Sequence, residues 1–429
     1  MIDLFPHQIH ALQATNGQNH VAYYLDMGLG KTFVGSEKMC ELGANVNLLI
    51  CQKSKVQDWI EHFEEHYDFD IFNLTNKTNF NCFNEIIEEN DVDEAYQIIG
   101  VINYELAWRR KELLKLENFT LMLDESSLIQ NRKAKQSKFI LKLKPQNVIL
   151  LSGTPCSGKY ENLWSQIHLL GWDIKEDLYN KQYVNWKTIE VGEFKHKIVD
   201  KEKPYKNVER LKAKLRQYGA IFMKTDECYQ LPQQNVIDVK VKAPKDYFTF
   251  IKDSIVTIND VELVGDTNLT KRLYARMIAS QYNENKIQSF CDLVKSTNDR
   301  LIVFYNFNEE LERIQDIAIE LERPISIVNG KTKDLRAYDE YDNSITFVQY
   351  QAGAKGLNLQ KANKIIYFSP TEKCEDYMQS LKRVHRIGQE KPCFYYRLIA
   401  QKTIDEDIYK AIESGVDYTD KLFVERKQT

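Results

Sequence analysis

The chain has 429 residues, of which 43% are hydrophobic and 28% are charged, and its formal net charge is −4. This length exceeds one ordinary core, so two or three folded domains are expected, and the composition excludes a disordered chain. The slight negative charge excludes a global positive field, so binding of a polyanion would require a local groove.

The cysteine pattern and the N-terminus indicate the compartment. The eight cysteines are scattered and form no CxxC pair, which is typical of reduced thiols in a cytosolic protein. Residues 1–19 contain no apolar core like that of a signal peptide, and no apolar run approaches the roughly 18 residues of a membrane span. We therefore expect a cytoplasmic protein without a membrane partner.

Short apolar runs rich in β-branched and aromatic residues alternate with helical patterns. They predict buried parallel strands at 20–25, 46–51, 96–101, 119–123 and 147–151. A second series is predicted at 301–305, 325–328, 345–349, 363–368 and 395–399. Between 156 and about 295 the pattern is mostly helical and polar, with a strand-like run at 235–241. The pattern predicts two α/β lobes joined by a helical insert and linker.

The stretch "LDMGLGKT" follows the first predicted strand and precedes a helical pattern. Gly28 and Gly30 would let backbone amides turn towards phosphate oxygens, Lys31 would neutralise the β and γ phosphates, and Thr32 would hold Mg²⁺. The strict phosphate-loop pattern has glycine where this chain has Leu25, so an ordinary glycine-bearing turn is the alternative.

A second strand, in "LMLDESS" (121–127), leads directly into two carboxylates. Asp124 at the carboxyl edge of the sheet could coordinate Mg²⁺, and Glu125 could orient and deprotonate an attacking water. The alternative is a strand that ends in solvated acids. The preceding glycine loop favours the catalytic interpretation.

Further motifs follow in a fixed order. "LLSGTP" (150–155) comes after another predicted strand and is followed by "ENLWSQIHLL". With these motifs the chain resembles the Swi/Snf-like ATPases of helicase superfamily 2, and compact phage or bacterial members in particular. The other matching motifs are "LFPHQ" (4–8), "LLICQKSKVQDWIEHF" (48–63), "VINYEL" (101–106), "LIVFYNF" (301–307), "VNGKTKDLR" (328–336), "QAGAKGLNLQ" (351–360) and "QSLKRVHRIGQ" (379–389).

The resemblance implies an α/β fold of two RecA-like lobes, each a mainly parallel sheet flanked by helices. Lobe one would span 1–225, including a helical insert at about 160–220. A linker and helical region at 226–295 would join it to lobe two, 296–429, which ends in a C-terminal helix.

In this family ATP lies in the cleft between the lobes. The resemblance implies that Gln8 reads adenine and that Arg383 and Arg386 act as arginine fingers on charge developing at the γ-phosphate. The other implied nucleotide contacts are Met27, Gly28, Leu29, Gly30, Lys31, Thr32, Phe33, Gly356 and Asn358. The implied coupling residues are Ser152, Thr154 and Gln379.

Two further features bear on DNA. The resemblance implies contacts to the DNA backbone from Lys53, Ser54 and Tyr104 in lobe one and from Asn306, Lys331, Thr332 and Gln351 in lobe two. For each residue, ordinary polarity at a turn or strand end is the alternative. The chain also departs from the family pattern: Ser126 and Ser127 replace the Ala-His of Asp-Glu-Ala-His, and Ser157-Gly158 replaces the usual Gln-Asn after "LLSGTP".

These observations predict a DNA-stimulated ATPase that uses ATP and Mg²⁺ and translocates on duplex or branched DNA, to remodel DNA, move forks or junctions, or displace bound protein. The alternatives are a nucleotide-gated DNA or protein clamp with slow hydrolysis, and a strand-separating helicase. The expected partners are DNA and a replication or repair protein. We expect a monomer in the cytoplasm, or in the host cytoplasm if a phage encodes the chain.

Overall fold

The computed structural model describes residues 3–88, 97–191, 194–350 and 357–423. The chain forms two units, Met1–Cys228 with Tyr418–Thr429, and Tyr229–Asp417. In the described ranges no helix is both long and apolar enough to cross a membrane.

The first unit is built on a seven-stranded sheet with the order β3-β4-β2-β5-β6-β1-β9, in which all pairs are parallel. Its strands are β1 (His20–Leu25), β2 (Val46–Cys51), β3 (Asp70–Asn73), β4 (Ile98–Asn103), β5 (Thr120–Asp124), β6 (Asn147–Leu151) and β9 (Ala220–Met223). A separate antiparallel hairpin consists of β7 (Trp186–Val191) and β8 (Phe194–Val199).

Helices connect these parallel strands, as right-handed crossovers require. The helices of the first unit are α1 (Pro6–Ala14), α2 (Lys31–Leu42), α3 (Val56–His66), α4 (Lys77–Glu88), α5 (Tyr104–Ala107), α6 (Lys135–Ile140), α7 (Trp164–Leu169), α8 (Glu176–Tyr183), α9 (Val208–Gln217) and α10 (Thr225–Cys228). Four single 3₁₀ turns occur at Lys53–Lys55, Lys111–Lys115, Ser126–Ile129 and Tyr160–Leu163.

The central strands of this sheet are buried on both faces, which explains their continuous apolar sequence. Tyr24, Leu48 and Leu150 have no exposed surface and belong to one core cluster. In the strand register, Leu151 of β6 pairs with both Tyr23 of β1 and Asp124 of β5. The segments that follow β1, β5 and β6 therefore leave the same edge of the sheet side by side.

The second unit contains a seven-stranded sheet with the order β10-β18-β17-β13-β16-β14-β15, parallel except for the β14–β15 pair. Its strands are β10 (Gln234–Val241), β13 (Leu301–Tyr305), β14 (Ile325–Val328), β15 (Lys333–Asp334), β16 (Ile345–Gln349), β17 (Lys364–Tyr367) and β18 (Cys393–Ala400). A second antiparallel hairpin consists of β11 (Ile255–Ile258) and β12 (Val261–Val264).

The helices around this sheet are α11 (Lys245–Asp253), α12 (Asn268–Ala279), α13 (Glu284–Lys295), α14 (Asn308–Glu320), α15 (Arg336–Glu340), α16 (Cys374–Leu381) and α17 (Ile404–Phe423). The start of α17 is anchored by a buried ion pair, in which Lys286 Nζ lies 2.6 Å from Asp405 Oδ2. Asp405 also accepts a hydrogen bond from the Ala400 amide at 3.1 Å. Asp405 is therefore a structural acid.

Two sheets flanked by helices confirm the expected α/β class with two RecA-like lobes. The segment 226–295 differs from the expectation in part. The strand-like run predicted at 235–241 forms the edge strand β10, whereas the hairpin β11–β12 was not predicted. The insert at about 160–220 likewise contains the hairpin β7–β8. The strands of these two hairpins are largely exposed, so their sequences do not have the pattern of buried strands.

Candidate functional site

The loop 26–30 joins β1 to α2, so the expected strand, loop and helix are present. Gly28 and Gly30 have φ angles of 87° and 71°, in the left-handed region that favours glycine. A Cβ atom on Gly30 would lie only 2.1 Å from Gln8 Nε2. Asp26 anchors the loop, because its Oδ2 accepts a hydrogen bond from Thr225 Oγ1 at 2.8 Å. The loop is therefore shaped by its own glycines and held from two sides.

Lys31, the first residue of α2, points back over this loop. Its Nζ donates to the carbonyl oxygens of Leu25 at 2.9 Å and Asp26 at 3.3 Å. A Cβ atom on Gly153, in the segment after β6, would lie 3.4 Å from the same ammonium group. The ammonium thus occupies the position between two strand ends from which it could reach a phosphate at the N-terminus of α2.

Gln8 lies against the phosphate loop. Its side chain is 3% exposed, and its Oε1 accepts from the Phe5 amide at 2.8 Å. Its Nε2 approaches the carbonyl oxygens of Leu29 and Gly30 at 3.4 Å each. Both ends of the carboxamide therefore contact the backbone around the phosphate loop, so Gln8 braces the loop in this structure. Its contact with adenine stays a prediction.

The apolar residues expected at the nucleotide differ in exposure. Leu29 is 1% exposed, so only its backbone is available to a ligand. Met27 is half-buried. The half-buried ring of Phe33 packs edge-on against His62 of α3, with 4.9 Å between ring centroids. The helix after the phosphate loop is thereby fixed to α3.

Asp124 ends β5 and receives a hydrogen bond that sequence reasoning missed. The indole Nε1 of Trp59, on α3, donates to Asp124 Oδ2 at 2.9 Å. Burial raises the pKa of the Asp124 carboxyl, while this hydrogen bond and the charge of Lys31 act in the opposite direction. Trp59 lies in the core of the first unit. It is 3% exposed, and it also orients the carboxylate.

Glu125 follows in an unusual backbone conformation, with φ 52° and ψ 59°. The hydroxyl of Tyr104 donates to the Asp124 carbonyl at 2.9 Å and lies 3.4 Å from the Glu125 carbonyl. Tyr104 is 1% exposed, and burial raises the pKa of its hydroxyl well above the usual value. Tyr104 therefore braces the two carboxylate residues in this structure, and a DNA contact by its side chain stays a prediction.

The segment after β6 holds the expected coupling residues Ser152 and Thr154. Both are buried, and the Thr154 amide donates to Ser152 Oγ at 3.1 Å. Gly153 between them adjoins Lys31, as described above. The "LLSGTP" segment is thus in direct reach of the phosphate loop.

The donor set at this edge fits Mg²⁺. Thr32 offers a hydroxyl and Asp124 a carboxylate, and Mg²⁺ is usually held by one or two such oxygens together with phosphates and waters. Among the residues that the structure describes, no group of three or more His, Cys, Asp or Glu could hold a metal. Any Mg²⁺ here would therefore have to share its coordination with a bound nucleotide.

Two candidate DNA contacts of the first unit lie in the 3₁₀ turn after β2. Lys53 and Ser54 are both exposed, and the neighbouring Lys55 pairs with Asp58 at 2.6 Å. Exposure at a strand end leaves the Lys53 and Ser54 side chains accessible to a phosphate backbone.

The candidate DNA residues of the second unit differ in exposure. Asn306 Nδ2 donates to Ser369 Oγ at 2.8 Å and to the Pro370 carbonyl at 3.0 Å, so its amide is used to hold two strand ends together. Lys331 and Thr332 are exposed. Their backbone amides each lie 2.9 Å from Asn329 Oδ1, which fixes the turn that presents them.

Three residues of "QAGAKGLNLQ" were named as candidates. Asn358 is exposed. Gln351 and Gly356 lie outside the described residues.

The two arginines of "QSLKRVHRIGQ" are not equivalent. Arg383 is 7% exposed and its Nη1 donates to the Leu357 carbonyl at 2.9 Å. Arg386 is half-buried, burial lowers the pKa of its guanidinium, and its side chain has no hydrogen-bond or ion-pair partner among the described residues. Gln379 is 1% exposed and donates to Glu375 Oε1 at 3.2 Å. Of the two arginines, Arg386 is the better candidate for a finger.

Comparison with known families agrees with this arrangement. The model described as "SNF2-related domain" matches residues 23–292, and the model described as "Helicase conserved C-terminal domain" matches residues 285–388. The first match alone covers more than half of the chain. The chain belongs to the SNF2-related family.

Relatives of this SNF2-related chain share about a quarter of its residues. It is 23% identical to the mouse (Mus musculus) "SWI/SNF-related matrix-associated actin-dependent regulator of chromatin subfamily A member 1", over 90% of this chain and 40% of that protein. It is also 23% identical to the Saccharomyces cerevisiae "ISWI chromatin-remodeling complex ATPase ISW1", over 99% of this chain and 41% of that protein. The chain therefore spans about two fifths of the length of these relatives.

A solved structure with similarity to this SNF2-related chain is the "Sulfolobus solfataricus SWI2/SNF2 ATPase core in complex with dsDNA". It is 21% identical, with a TM-score of 0.43 over 98% of this chain and 95% of that one.

Sequence reasoning missed two buried side chains of this SNF2-related chain that hydrogen-bond at the candidate site, Trp59 and Gln166 of α7. A buried indole needs a hydrogen-bond acceptor, and a buried carboxamide needs several partners. Those requirements could have flagged both residues as more than core filling. The identity of their partners could not be read from the sequence.

Proposed function

We propose that this chain hydrolyses ATP with Mg²⁺ when bound to DNA and uses the hydrolysis to translocate on duplex or branched DNA. The observation that carries the proposal is the meeting of Lys31, Asp124 and Gly153 at one edge of a parallel sheet. Three strand ends there combine a phosphate loop, a metal-binding carboxylate and a third segment that adjoins the lysine. Membership of the SNF2-related family supports the choice of ATP and DNA.

The chemistry assigned to the first unit follows from its donors. Lys31 exchanges its two backbone acceptors for phosphate oxygens when a nucleotide binds at the N-terminus of α2. Thr32 and Asp124 would hold Mg²⁺, which would supply positive charge beside the bound phosphates. Glu125 orients the attacking water and accepts its proton.

The proposal assigns Arg386 to the charge that develops on the γ-phosphate. Its support is the guanidinium without a partner among the described residues, at a position that matches the family motif. A finger of this kind contributes about 10³–10⁵ in rate. Arg383 is assigned a structural role, because its guanidinium already binds the Leu357 carbonyl.

Steady-state hydrolysis tests the nucleotide site. Lys31→Ala should abolish turnover, and Glu125→Gln should bind ATP while its turnover falls by about 10³. The matched control is Lys77→Ala, since Lys77 is an exposed lysine at the start of α4 and should leave the rate unchanged. Normal turnover in both site variants would contradict the assignment.

Titration of the ATPase rate with single-stranded, duplex and branched DNA at two salt concentrations tests the substrate. Contacts to phosphates must weaken as salt rises, and Lys53→Ala should reduce the slope of log affinity against log salt by about 1. Strong activation by RNA alone would overturn the choice of DNA.

Displacement of a triplex-forming strand tests movement. ATP-driven displacement supports translocation, whereas hydrolysis without displacement identifies a nucleotide-gated clamp. Separation of a forked duplex in the same assay would identify a strand-separating helicase.

A further inference from the structure

The Gln166 side chain joins three strand ends of the first unit. It is completely buried, and its Oε1 accepts hydrogen bonds from Ser126 Oγ at 2.8 Å and from the Tyr24 hydroxyl at 3.0 Å. Its Nε2 donates to the Pro155 carbonyl at 2.6 Å. These partners lie on β1, directly after Glu125, and at the end of "LLSGTP". One carboxamide therefore bridges the segments that carry the phosphate loop, the proposed base and the coupling residues.

A second bridge joins two of the same segments. Gln130 directly follows the 3₁₀ turn Ser126–Ile129, and its Nε2 donates to Ser157 Oγ at 3.1 Å. Its Oε1 accepts from Asn162 Nδ2 at 2.9 Å. We call the five residues Ser126, Gln130, Ser157, Asn162 and Gln166 the polar clasp. Two of them, Ser126 and Ser157, stand where the sequence departs from the family pattern.

The clasp adjoins a backbone conformation that needs support. Glu125 has φ 52° and ψ 59°, which is the left-handed region that is unfavourable for a residue with a side chain. Such a conformation persists only where its surroundings hold it. The Tyr104 hydroxyl holds the carbonyl of Asp124, the residue before Glu125. The hydrogen bond to Gln166 holds Ser126, the residue after Glu125.

Because these hydrogen bonds are buried, losing one of them is energetically costly. Ser126 and Gln166 both have no exposed surface, so water cannot replace a lost partner there. A buried polar group that loses its partner retains the full desolvation penalty. The orientation of the carboxamide is also defined, because one oxygen has two donors and the nitrogen has one acceptor.

We infer that Gln166 is a positioning residue. Through its hydrogen bond with Ser126 it sets the position of the Glu125 carboxylate. Through its hydrogen bond with Pro155 it makes that position depend on the conformation of the "LLSGTP" segment. The inference rests on the proposed function, in which Glu125 acts as the base. It also gives the two serine departures a role, since each supplies a hydroxyl to a bridge between the same two segments.

The test combines kinetics with hydrogen exchange in Ser126→Ala, Gln166→Leu and the double variant. Each single variant should lower kcat about tenfold, or about 1.4 kcal/mol of activation free energy, and leave the KM for ATP within about twofold. The double variant should match Gln166→Leu within about twofold, because both changes remove one shared contact. Ser137→Ala is the control: Ser137 is equally buried, its hydroxyl has no hydrogen-bond partner among the described residues, and its kcat should be unchanged.

Hydrogen exchange of the nucleotide-free full chain supplies the second readout. The amides of 126–130 should exchange about tenfold faster in Gln166→Leu, while those of α2 stay as in the wild type. Unchanged exchange at 126–130, additive losses of kcat, or an increase in KM equal to the loss of kcat would overturn the inference. If Gln166→Leu does not fold, Ser126→Ala decides, since Tyr24 still binds the carboxamide there. A wild-type chain without ATPase activity refutes the proposed function, and the exchange rates then still decide whether Gln166 positions this segment.

Discussion

Replacement of Trp59 by phenylalanine removes one hydrogen-bond donor from the Asp124 carboxylate and leaves an aromatic ring in the core. The lost bond joins Nε1 to Oδ2 at 2.9 Å. A hydrogen bond to a charged group contributes roughly 1.5–3 kcal/mol, which corresponds to about 10- to 150-fold in a binding constant. Without the indole the carboxylate is free to rotate and its buried charge is less stabilised. We expect Mg²⁺ to bind at least about tenfold more weakly.

The assay is the ATPase rate against free Mg²⁺ at a fixed ATP concentration. Trp164→Phe is the matched control, because the Trp164 indole also donates a hydrogen bond, but to a backbone oxygen, the Ile174 carbonyl at 2.8 Å. Both variants lose an indole donor, so both should lose some thermal stability. Only Trp59→Phe should require more Mg²⁺. Equal Mg²⁺ midpoints for the two variants would refute the reasoning.

Three further tests address the two arginines, the phosphate loop and the half-buried His62. Arg386→Ala should lower DNA-stimulated turnover by about 10³ at an unchanged melting temperature. Arg383→Ala should instead lower the melting temperature, measured by calorimetry. The reverse result would show that the two roles are exchanged. Gly30→Ala should reduce the free energy of unfolding in urea by at least about 1 kcal/mol. Adding Gln8→Ala to this variant should recover the part of the loss that comes from the clash with Gln8. An unchanged urea midpoint for Gly30→Ala would contradict the prediction. Burial lowers the pKa of His62 from 6.5 to about 4. Between these pH values His62 is therefore protonated in the unfolded chain and neutral in the folded chain. Stability should therefore fall as pH drops from about 6.5 to 4, and His62→Gln should flatten that fall in urea titrations; an identical pH profile would contradict the shift.

The central parallel strands could be predicted because burial on both faces requires a continuous run of apolar residues. The predicted bounds 20–25, 46–51 and 301–305 coincide with the observed strands. The strand predicted at 96–101 lies at Ile98–Asn103, two residues later. The error follows from "YQIIGVIN", where a continuous apolar run does not show where pairing begins.

The strands that were missed lack this signal. Asp70–Asn73 is a four-residue edge strand with no fully buried side chain, and the hairpin Ile255–Ile258 with Val261–Val264 is largely exposed. Such strands form because a neighbouring strand offers free backbone groups, which is a property of the folded sheet. Their sequences alone did not distinguish them from the polar, helical pattern around them.

In the candidate site, local spacing predicted Lys31 and Asp124, because a loop and a strand end are short stretches of sequence. The partners of these residues could not be predicted in the same way. Trp59 meets Asp124 across 65 positions, and Ser126 meets Gln166 across 40. Burial requires a polar atom to have a partner, but only the packing of α3 and α7 on the sheet determines which one.

Burial also divides the motif residues into two kinds that a motif match cannot tell apart. Gln8, Tyr104 and Arg383 match the family pattern, yet each side chain is buried and hydrogen-bonded to the backbone of another residue. Lys53 and Lys331 match it equally well and are exposed. Truncation of a buried brace leaves unsatisfied backbone groups and must reduce stability. Truncation of an exposed lysine removes only its charge, so its effect belongs in the salt dependence of DNA binding. A motif therefore identifies a position in the fold, and the direction of the side chain decides whether that position binds a ligand or supports one that does.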